Sequence, residues 1–351
     1  MSAPGDGAMR VLLVTIRLAL PGGSELYVSD VARALRARGH SPVVCSTHLG
    51  PVAGGLRATG IPVVDDLAHV AEAPDVIHGQ HHLSTMAALA RFPTTPAVYL
   101  CHGFLPWEEA PRPHPAIRRW VAVSDLTRER LVTEAGAPPD RIDVIPNFVD
   151  LARFRPRDPL PRRPRRALLL SNSAGTDGWV DDLRRVCAER GIVLDQLGVG
   201  CGHPVLDVEQ RLRAYDLVFA RGRSALEAMA VGAAVILCDV EGTGGFVDLD
   251  GFARLRRGNF GVQVLSPTHD VARLAQEIDR YDADEATRVR DLVRAQCGLE
   301  HAVDRIVDVY ARAIADAAAA PTPPDAAQAA IAAYLRWVNA TMPSPRLEER
   351  E

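Results

Sequence analysis

Residues 215–239 read YDLVFARGRSALEAMAVGAAVILCD. LVFA (217–220) and AAVILC (233–238) are short, β-rich and apolar, as strands buried on both faces are. SALEAMAV (224–231) between them reads as a helix, stopped by Gly232. A strand that returns to its sheet through a helix runs parallel, so the stretch predicts a parallel sheet with helical cover.

The same alternation extends in both directions. Upstream, MRVLLVTI (9–16), SPVVCST (41–47), IPVV (61–64), DVIHG (75–79), AVYLC (97–101) and WVAVS (120–124) are strand runs, mostly separated by helical segments. A helix is expected at about 25–38, where Val28, Val31, Ala32 and Leu35 share one face, and Gly39 ends it. At residue 146 the texture changes to PNFVDLARFRPRDPLPRRPRR, a Pro/Arg-rich linker read as a solvated hinge, with a membrane-surface role the lesser reading. ALLLSN (167–172) and IVLDQLG (192–198) resume the β/α series. Helices at about 268–280, 284–296 and 299–318 are expected to close it. PTPP (321–324) precedes a last helix at about 325–340, whose Ile331, Tyr334, Leu335 and Val338 form a sticky side for the body or for a second copy.

The expected organisation is α/β: an N-terminal Rossmann-like domain over 1–150, a linker over 151–166, a second Rossmann-like domain over 167–318 and a tail over 319–351. Two open parallel sheets in tandem place a ligand in the cleft between them, at the carboxyl ends of the strands.

Composition narrows the chemistry. The chain has 351 residues, a formal net charge of −4 and 40 basic residues, every one an arginine. A slightly acidic chain is not a dedicated nucleic-acid binder. Without lysine there is no Walker A loop and no Schiff-base site for pyridoxal phosphate. Arginine stays protonated and so serves as a phosphate ligand rather than a base. The six cysteines lack CxxC spacing and read as reduced thiols, and no signal peptide is legible, so a cytoplasmic location is expected.

Arg221, Arg223 and Ser224 stand at the start of the 224–231 helix, where free N–H groups and the helix dipole suit a phosphate. Glu227, one turn in, has two readings: a carboxylate for ribose hydroxyls, or the partner of Ser224 in an S-x-x-E capping box, which the local pattern favours. SNSAGTDG (171–178), with Ser171 and Asn172, and EGTGG (241–245), with Gly242 and Gly244, are small, polar loops that backbone phosphate contacts would need; either also reads as an ordinary turn. GVGCGH (198–203) lacks the last glycine and the helix of a dinucleotide fingerprint. HGQHH (78–82), with His81, has no ligand partners at metal spacing. His102 follows a strand and faces the cleft by position, where a capped, structural histidine is as good a reading as a functional one. WEE (107–109) offers an aromatic and two acids that could meet a sugar, with Trp107 and Glu108 the acceptor-side candidates, or is a solvated loop.

Four of these stretches, in order, carry a resemblance. PGGSELYVSDVARALRARGHSPVVCST, PDVIHGQHH, WVAVSDLTRERLVTEAGAPPDRIDVIPNFVDLARFRPR and YDLVFARGRSALEAMAVGAAVILCD together resemble GT-B glycosyltransferases of the family-4, retaining type, over about residues 9 to 318. The resemblance implies that the second lobe binds a nucleoside-diphosphate-sugar and the first a glycan or small hydroxyl acceptor. It implies that Glu227 is the ribose ligand, that Gly22 and Gly23 form the loop reaching the donor phosphates, and that His102 lies beside the transferred sugar as the catalytic-site histidine. Transfer of a hexose-type unit with retention, without a metal or other cofactor, is the activity implied. Two departures stand out. Phe219 occupies the place of a glutamate eight residues before Glu227, and SNSAGTDG has neither the arginine nor the lysine of the usual phosphate clamp. Arg221 and Arg223 are expected to replace that clamp. A sugar-nucleotide epimerase on the same fold and an inactive sugar-nucleotide or glycan binding protein are the alternatives. Peripheral membrane association and a homodimer are further partner expectations.

Overall fold

The computed structural model describes residues 7–104, 106–176 and 178–343. In chain order the strands are β1 (Arg10–Val14), β2 (Arg17–Leu18), β3 (Ser41–Cys45), β4 (His48–Leu49), β5 (Val63–Val64), β6 (Val76–Gly79), β7 (Ala97–Cys101), β8 (Ile117–Ala122), β9 (Ile142–Val144), β10 (Arg166–Leu170), β11 (Val193–Leu197), β12 (Leu217–Ala220), β13 (Ala234–Asp239) and β14 (Gly242–Phe246). The helices are α1 (Gly23–Ala37), α2 (Pro51–Ala58), α3 (His82–Arg91), α4 (Asp125–Ala135), α5 (Gly178–Ala188), α6 (Val208–Arg211), α7 (Gly222–Val231), α8 (Leu249–Arg257), α9 (Val271–Asp279), α10 (Ala283–Gln296), α11 (Leu299–Ala319) and α12 (Pro324–Thr341).

Two sheets carry the molecule. The first is wholly parallel in the order β5-β3-β1-β6-β7-β8-β9; the second, β11-β10-β12-β13-β14, is parallel except for β14. The pleat explains the unbroken apolar runs. Val11 and Leu13 of β1 enter the core beneath α1 and α11, whereas Leu12 and Val14 enter the core beneath α3 and α12. β10 repeats this, with Leu168 and Leu170 on one side and Ala167 and Leu169 on the other. On α1 the periodic quartet Val28, Val31, Ala32 and Leu35 is buried as its spacing requires.

Strand order reverses at β1 in the first sheet and at β10 in the second. At such a switch point the loops of neighbouring strands diverge and leave a crevice. The segments after β1, β7 and β8 face those after β10, β12 and β13 across it, so the architecture is GT-B, two Rossmann-like lobes around a cleft.

Three expectations need correcting. The 299–318 helix does not close the second lobe. As α11 it buries Val303, Ile306, Val309 and Tyr310 in the first lobe's core, and the chain recrosses where Val149 bridges Gly298. Periodicity shows that a helix has an apolar face, not which sheet receives it. The last helix, α12, also belongs to the first lobe, packing Ile331, Tyr334, Trp337 and Val338 beside α3. Leu335, expected on that sticky side, is 58% exposed. The hinge arginines are not all solvated: Arg157 donates to the Tyr215 carbonyl and to Asp216, and Phe154 is wholly buried in the second lobe.

Candidate functional site

The cleft between the lobes encloses about 510 Å³. Gly23, Ser24, His102 and Glu109 line it from the first lobe; Ser171, Asn172, Arg221, Arg223, Ser224 and Asp239 line it from the second.

The helix of the opening stretch begins earlier than its sequence suggests. α7 starts at Gly222, whose φ of +57° is left-handed, and Arg221 occupies the N-cap position. Ser224 therefore lies inside the first turn and forms no capping box with Glu227. Glu227 instead accepts from Arg223 Nε at 2.7 Å, an i, i+4 pair along α7. Arg223 Nη2 reaches across the lobes to Asp30 of α1, which also receives Arg153 Nη2 at 3.3 Å to each oxygen. Asp30 and Glu227 are each 2% exposed and Arg223 is 7% exposed, so these charges are held out of water by one another. Burial pushes the Glu227 carboxyl up, and the Arg223 cation opposes it. Glu227 is absent from the cleft wall.

Arg221 is also tied. Its Nε donates to Asp239 at 2.6 Å and its Nη2 to Glu241 at 3.0 Å. Among the described residues, Nη1 of Arg221 and Nη1 of Arg223 take no protein acceptor, so each guanidinium keeps one edge for the cleft. Neither arginine is a free cation: Asp30, Glu227, Asp239 and Glu241 surround the pair.

The loop after β10 is folded by its own polar groups. Ser171 Oγ donates to Asp239 and accepts from the N–H groups of Ser173 and Ala174, at 3.0 and 2.9 Å. Asn172 spans the cleft, donating to the Pro21 carbonyl at 3.0 Å and accepting from Val199 N at 3.1 Å. Gly23 lines the cleft; Gly22 does not, and the Glu25 carboxylate lies where its Cβ would be. Of EGTGG, Glu241 lines the cleft but the glycines do not. Gly242 and Gly244 lie in β14, whose backbone runs so close to residues 264–267 that a Cβ on Gly242 would stand 1.8 Å from the Ser266 carbonyl. Their smallness serves that approach rather than a phosphate.

On the first lobe, the acceptor-side residues are redistributed. His81 is buried against Thr15 and Ile16. Trp107 turns outward to stack on Trp337 of α12, with ring centroids 5.6 Å apart, and Glu108 lies 3.9 Å from Arg17 at the surface. The third residue of WEE, Glu109, faces the cleft. Three consecutive residues of a 3₁₀ turn point in three directions, and sequence does not say which one points inward. The Glu109 carboxylate fills the space a Cβ on Gly103 would need, 2.1 Å from Oε2, and among the described residues that buried oxygen has no hydrogen-bond partner. Burial pushes the Glu109 carboxyl up to about 7, partly offset by Arg130.

His102 lines the cleft beside Gly103, its Nε2 2.8 Å from Gln80 Oε1 and its ring edge-on to Tyr27. Burial holds its imidazole far below the ordinary histidine range, with His81, His78 and Arg223 adding to the effect. Asp30, Gln80 and Asp239 were missed, while Glu109 and Glu241 lay in stretches that sequence marked without their being singled out. For Asp239 a signal existed, since it ends a parallel strand on the cleft side. Among the described residues no group of three or more His, Cys, Asp or Glu side chains is placed to hold a metal, and no helix is long and apolar enough to cross a membrane.

Residues 21–153 match the model of a family described as Glycosyltransferase Family 4. No curated protein matches the chain. Among solved structures, a glycosyltransferase from Rickettsia africae ESF-5 is similar at 14% identity and a TM-score of 0.59, over 88% of this chain and 99% of that one. A Listeria monocytogenes protein assigned as a UDP-N-acetylglucosamine 2-epimerase gives 15% and 0.56, over 86% and 96%. WaaG, a glycosyltransferase involved in lipopolysaccharide biosynthesis, gives 14% and 0.53, over 86% and 99%. At these identities the likeness is one of fold. The chain is a GT-B protein whose first lobe resembles Glycosyltransferase Family 4.

Proposed function

We propose that the protein transfers a sugar from a nucleoside diphosphate to a hydroxyl acceptor, with retention of configuration. One observation carries the reading: the start of α7, with an unshared edge on both Arg221 and Arg223, faces His102 across a cleft at the switch points of both sheets. The first-lobe family match supports it.

As the glycosidic bond breaks, negative charge grows on the leaving diphosphate, and fixed N–H donors with a helix N-terminus stabilise it most in the transition state. The carboxylates around Arg221 and Arg223 hold each guanidinium in one orientation, so little reorganisation is left for the moment of reaction. They also reduce the net positive field. The nucleotide contributes through its hydroxyls and base as well, and Gly23 lets the opposite backbone approach the phosphates.

Thermal stabilisation against UDP, GDP, ADP, CDP and dTDP is the test. At about 100 times its dissociation constant, a ligand of the folded state adds roughly 2.7 kcal/mol. A selective shift names the base, and indifference to all five overturns the reading. An epimerase on the same architecture is the second reading, because Glu109 offers a cleft carboxyl that titrates near neutrality. It is distinguished by an isomerised sugar nucleotide formed without any acceptor.

A further inference from the structure

The hydrogen positions around His102 follow from two backbone groups. The Ser24 carbonyl can only accept, so the atom of Gln80 at 3.1 Å from it is the amide nitrogen, which also lies 2.9 Å from Thr15 Oγ1. Gln80 Oε1 is then the atom facing His102 Nε2 at 2.8 Å, and an amide oxygen cannot donate. His102 Nε2 must carry the hydrogen. The far end is pinned in the same way. The Ile16 N–H can only donate, and it points to His81 Nδ1 at 3.3 Å, so that nitrogen is bare. Thr15 donates to it at 3.2 Å and is left to accept from Gln80. Every bond from Ile16 to His102 is satisfied in one direction only.

His102 Nδ1 takes no protein hydrogen bond among the described residues, and His102 lines the cleft. We infer that Gln80 is a positioning residue that locks His102 as the Nε2–H tautomer, so that the cleft meets a neutral imidazole whose Nδ1 can accept a hydrogen bond and cannot donate one. The group selected there is a ligand hydroxyl or N–H, and a phosphate oxygen is rejected, since both would present lone pairs. The lock needs no ligand; assigning that hydroxyl to a donor sugar rests on the proposed glycosyl transfer. The surroundings agree in keeping the ring uncharged: burial disfavours an imidazolium most, and His81, His78 and Arg223 add to it.

Long-range proton–nitrogen correlation spectra of protein labelled with ¹⁵N-histidine test the lock, with His102→Asn to assign the signal. The expected spectrum is the Nε2–H tautomer from pH 8 down to pH 5. An Nδ1–H tautomer, or an imidazolium forming above about pH 6, near the unperturbed histidine value, overturns it. Gln80→Leu removes the acceptor and is expected to give mixed tautomers. Gln80→Glu keeps an acceptor for Nε2–H, and is expected to preserve the tautomer while moving the titration upward. Identical spectra for the two variants, each checked for a cooperative melt, would mean that Gln80 merely fills space. The ligand half is read by comparing the sugar nucleotide with the bare nucleoside diphosphate selected by the melting screen. Gln80→Leu is expected to weaken the first about tenfold, one lost hydrogen bond in affinity, and to leave the second unchanged. Equal weakening of both removes the sugar assignment. A wild-type protein that binds no nucleotide overturns the proposed function and the ligand half together, while the imidazole spectrum still decides the tautomer.

Discussion

Arg223→Met tests the buried charge network between the lobes. The guanidinium donates to Glu227 at 2.7 Å and to Asp30 across the lobes, and both carboxylates are 2% exposed. Methionine keeps much of the side-chain volume and removes the charge. Among the described residues Asp30 then retains only Arg153, and Glu227 retains no cation within ion-pair distance. Breaking a buried pair from one side costs about 3–5 kcal/mol, because the remaining charge keeps its desolvation penalty. Unfolding entropy near 2.1 cal/mol/K per residue makes each kcal/mol worth a little over 1 °C in a chain of this size, so Tm falls by about 5 °C. The loss depends on pH. Glu227 already has a raised carboxyl, and losing Arg223 raises it further. A raised folded-state pKa means that the native state binds more protons than the unfolded one, so stability falls as pH rises through that window. Calorimetry at pH 5.5 and 8 is therefore expected to show the larger deficit at pH 8. The triple variant Asp30→Asn, Arg223→Met, Glu227→Gln, which removes the charges together, is expected to recover at least half of it. An Arg223→Met protein melting within about 1 °C of wild type would refute the argument and return Arg223 to the role of a free phosphate ligand.

Three further outcomes are expected. Glu109→Gln removes a carboxyl raised to about 7 by burial; it should stabilise the fold above pH 7, by at most about 3 kcal/mol, with the gain vanishing towards pH 4.5 in a melting series. Gly103→Ala would place a methyl 2.1 Å from the Glu109 carboxylate and should expel that side chain from the cleft, seen as loss of the near-neutral carboxyl titration in a ¹³C spectrum. Trp337→Ala removes the ring stacked on Trp107 and edge-on to His82; it should cost about 3 kcal/mol or less of stability, because the site is only partly buried, and change the emission of Trp107.

The fold was legible because its signal is repeated. β1, β7, β10, β12 and β13 each carry a run of four or more apolar residues, and helices alternate with most of the strands. The loops at the carboxyl ends of the strands could be named from the β/α alternation alone, and His102, Ser171, Asn172 and Arg221 from such loops lie together. Partnerships could not be named. Ser224 and Glu227 matched a capping box, yet a left-handed Gly222 started the helix two residues earlier and gave Glu227 to Arg223. Asp30 sits far from Arg223 in sequence, on α1, and nothing in either stretch points to the other. Gly242 and Gly244 had the composition of a phosphate loop and serve an edge strand instead. Local pattern reports what a segment can do, and tertiary contact decides which of those options is used.

The second crossing of the chain at Gly298 has a consequence for how the molecule can be divided. The residues from 150 to 298 form an insertion within the first lobe, whose sheet is covered on one face by α11 from the far side of that insertion. A fragment ending at residue 150 would lose the cover of α11 over β6, β7 and β8, leaving Val76, Val98, Leu100 and Val121 short of their packing, and is expected to aggregate. The inserted segment brings its own two cores and enters and leaves at adjacent points. It can be excised and its ends joined, and a first lobe rebuilt by linking residue 149 to residue 298 should fold without it. The two tethers also lie side by side, so the lobes can rotate about the line through them more readily than they can separate.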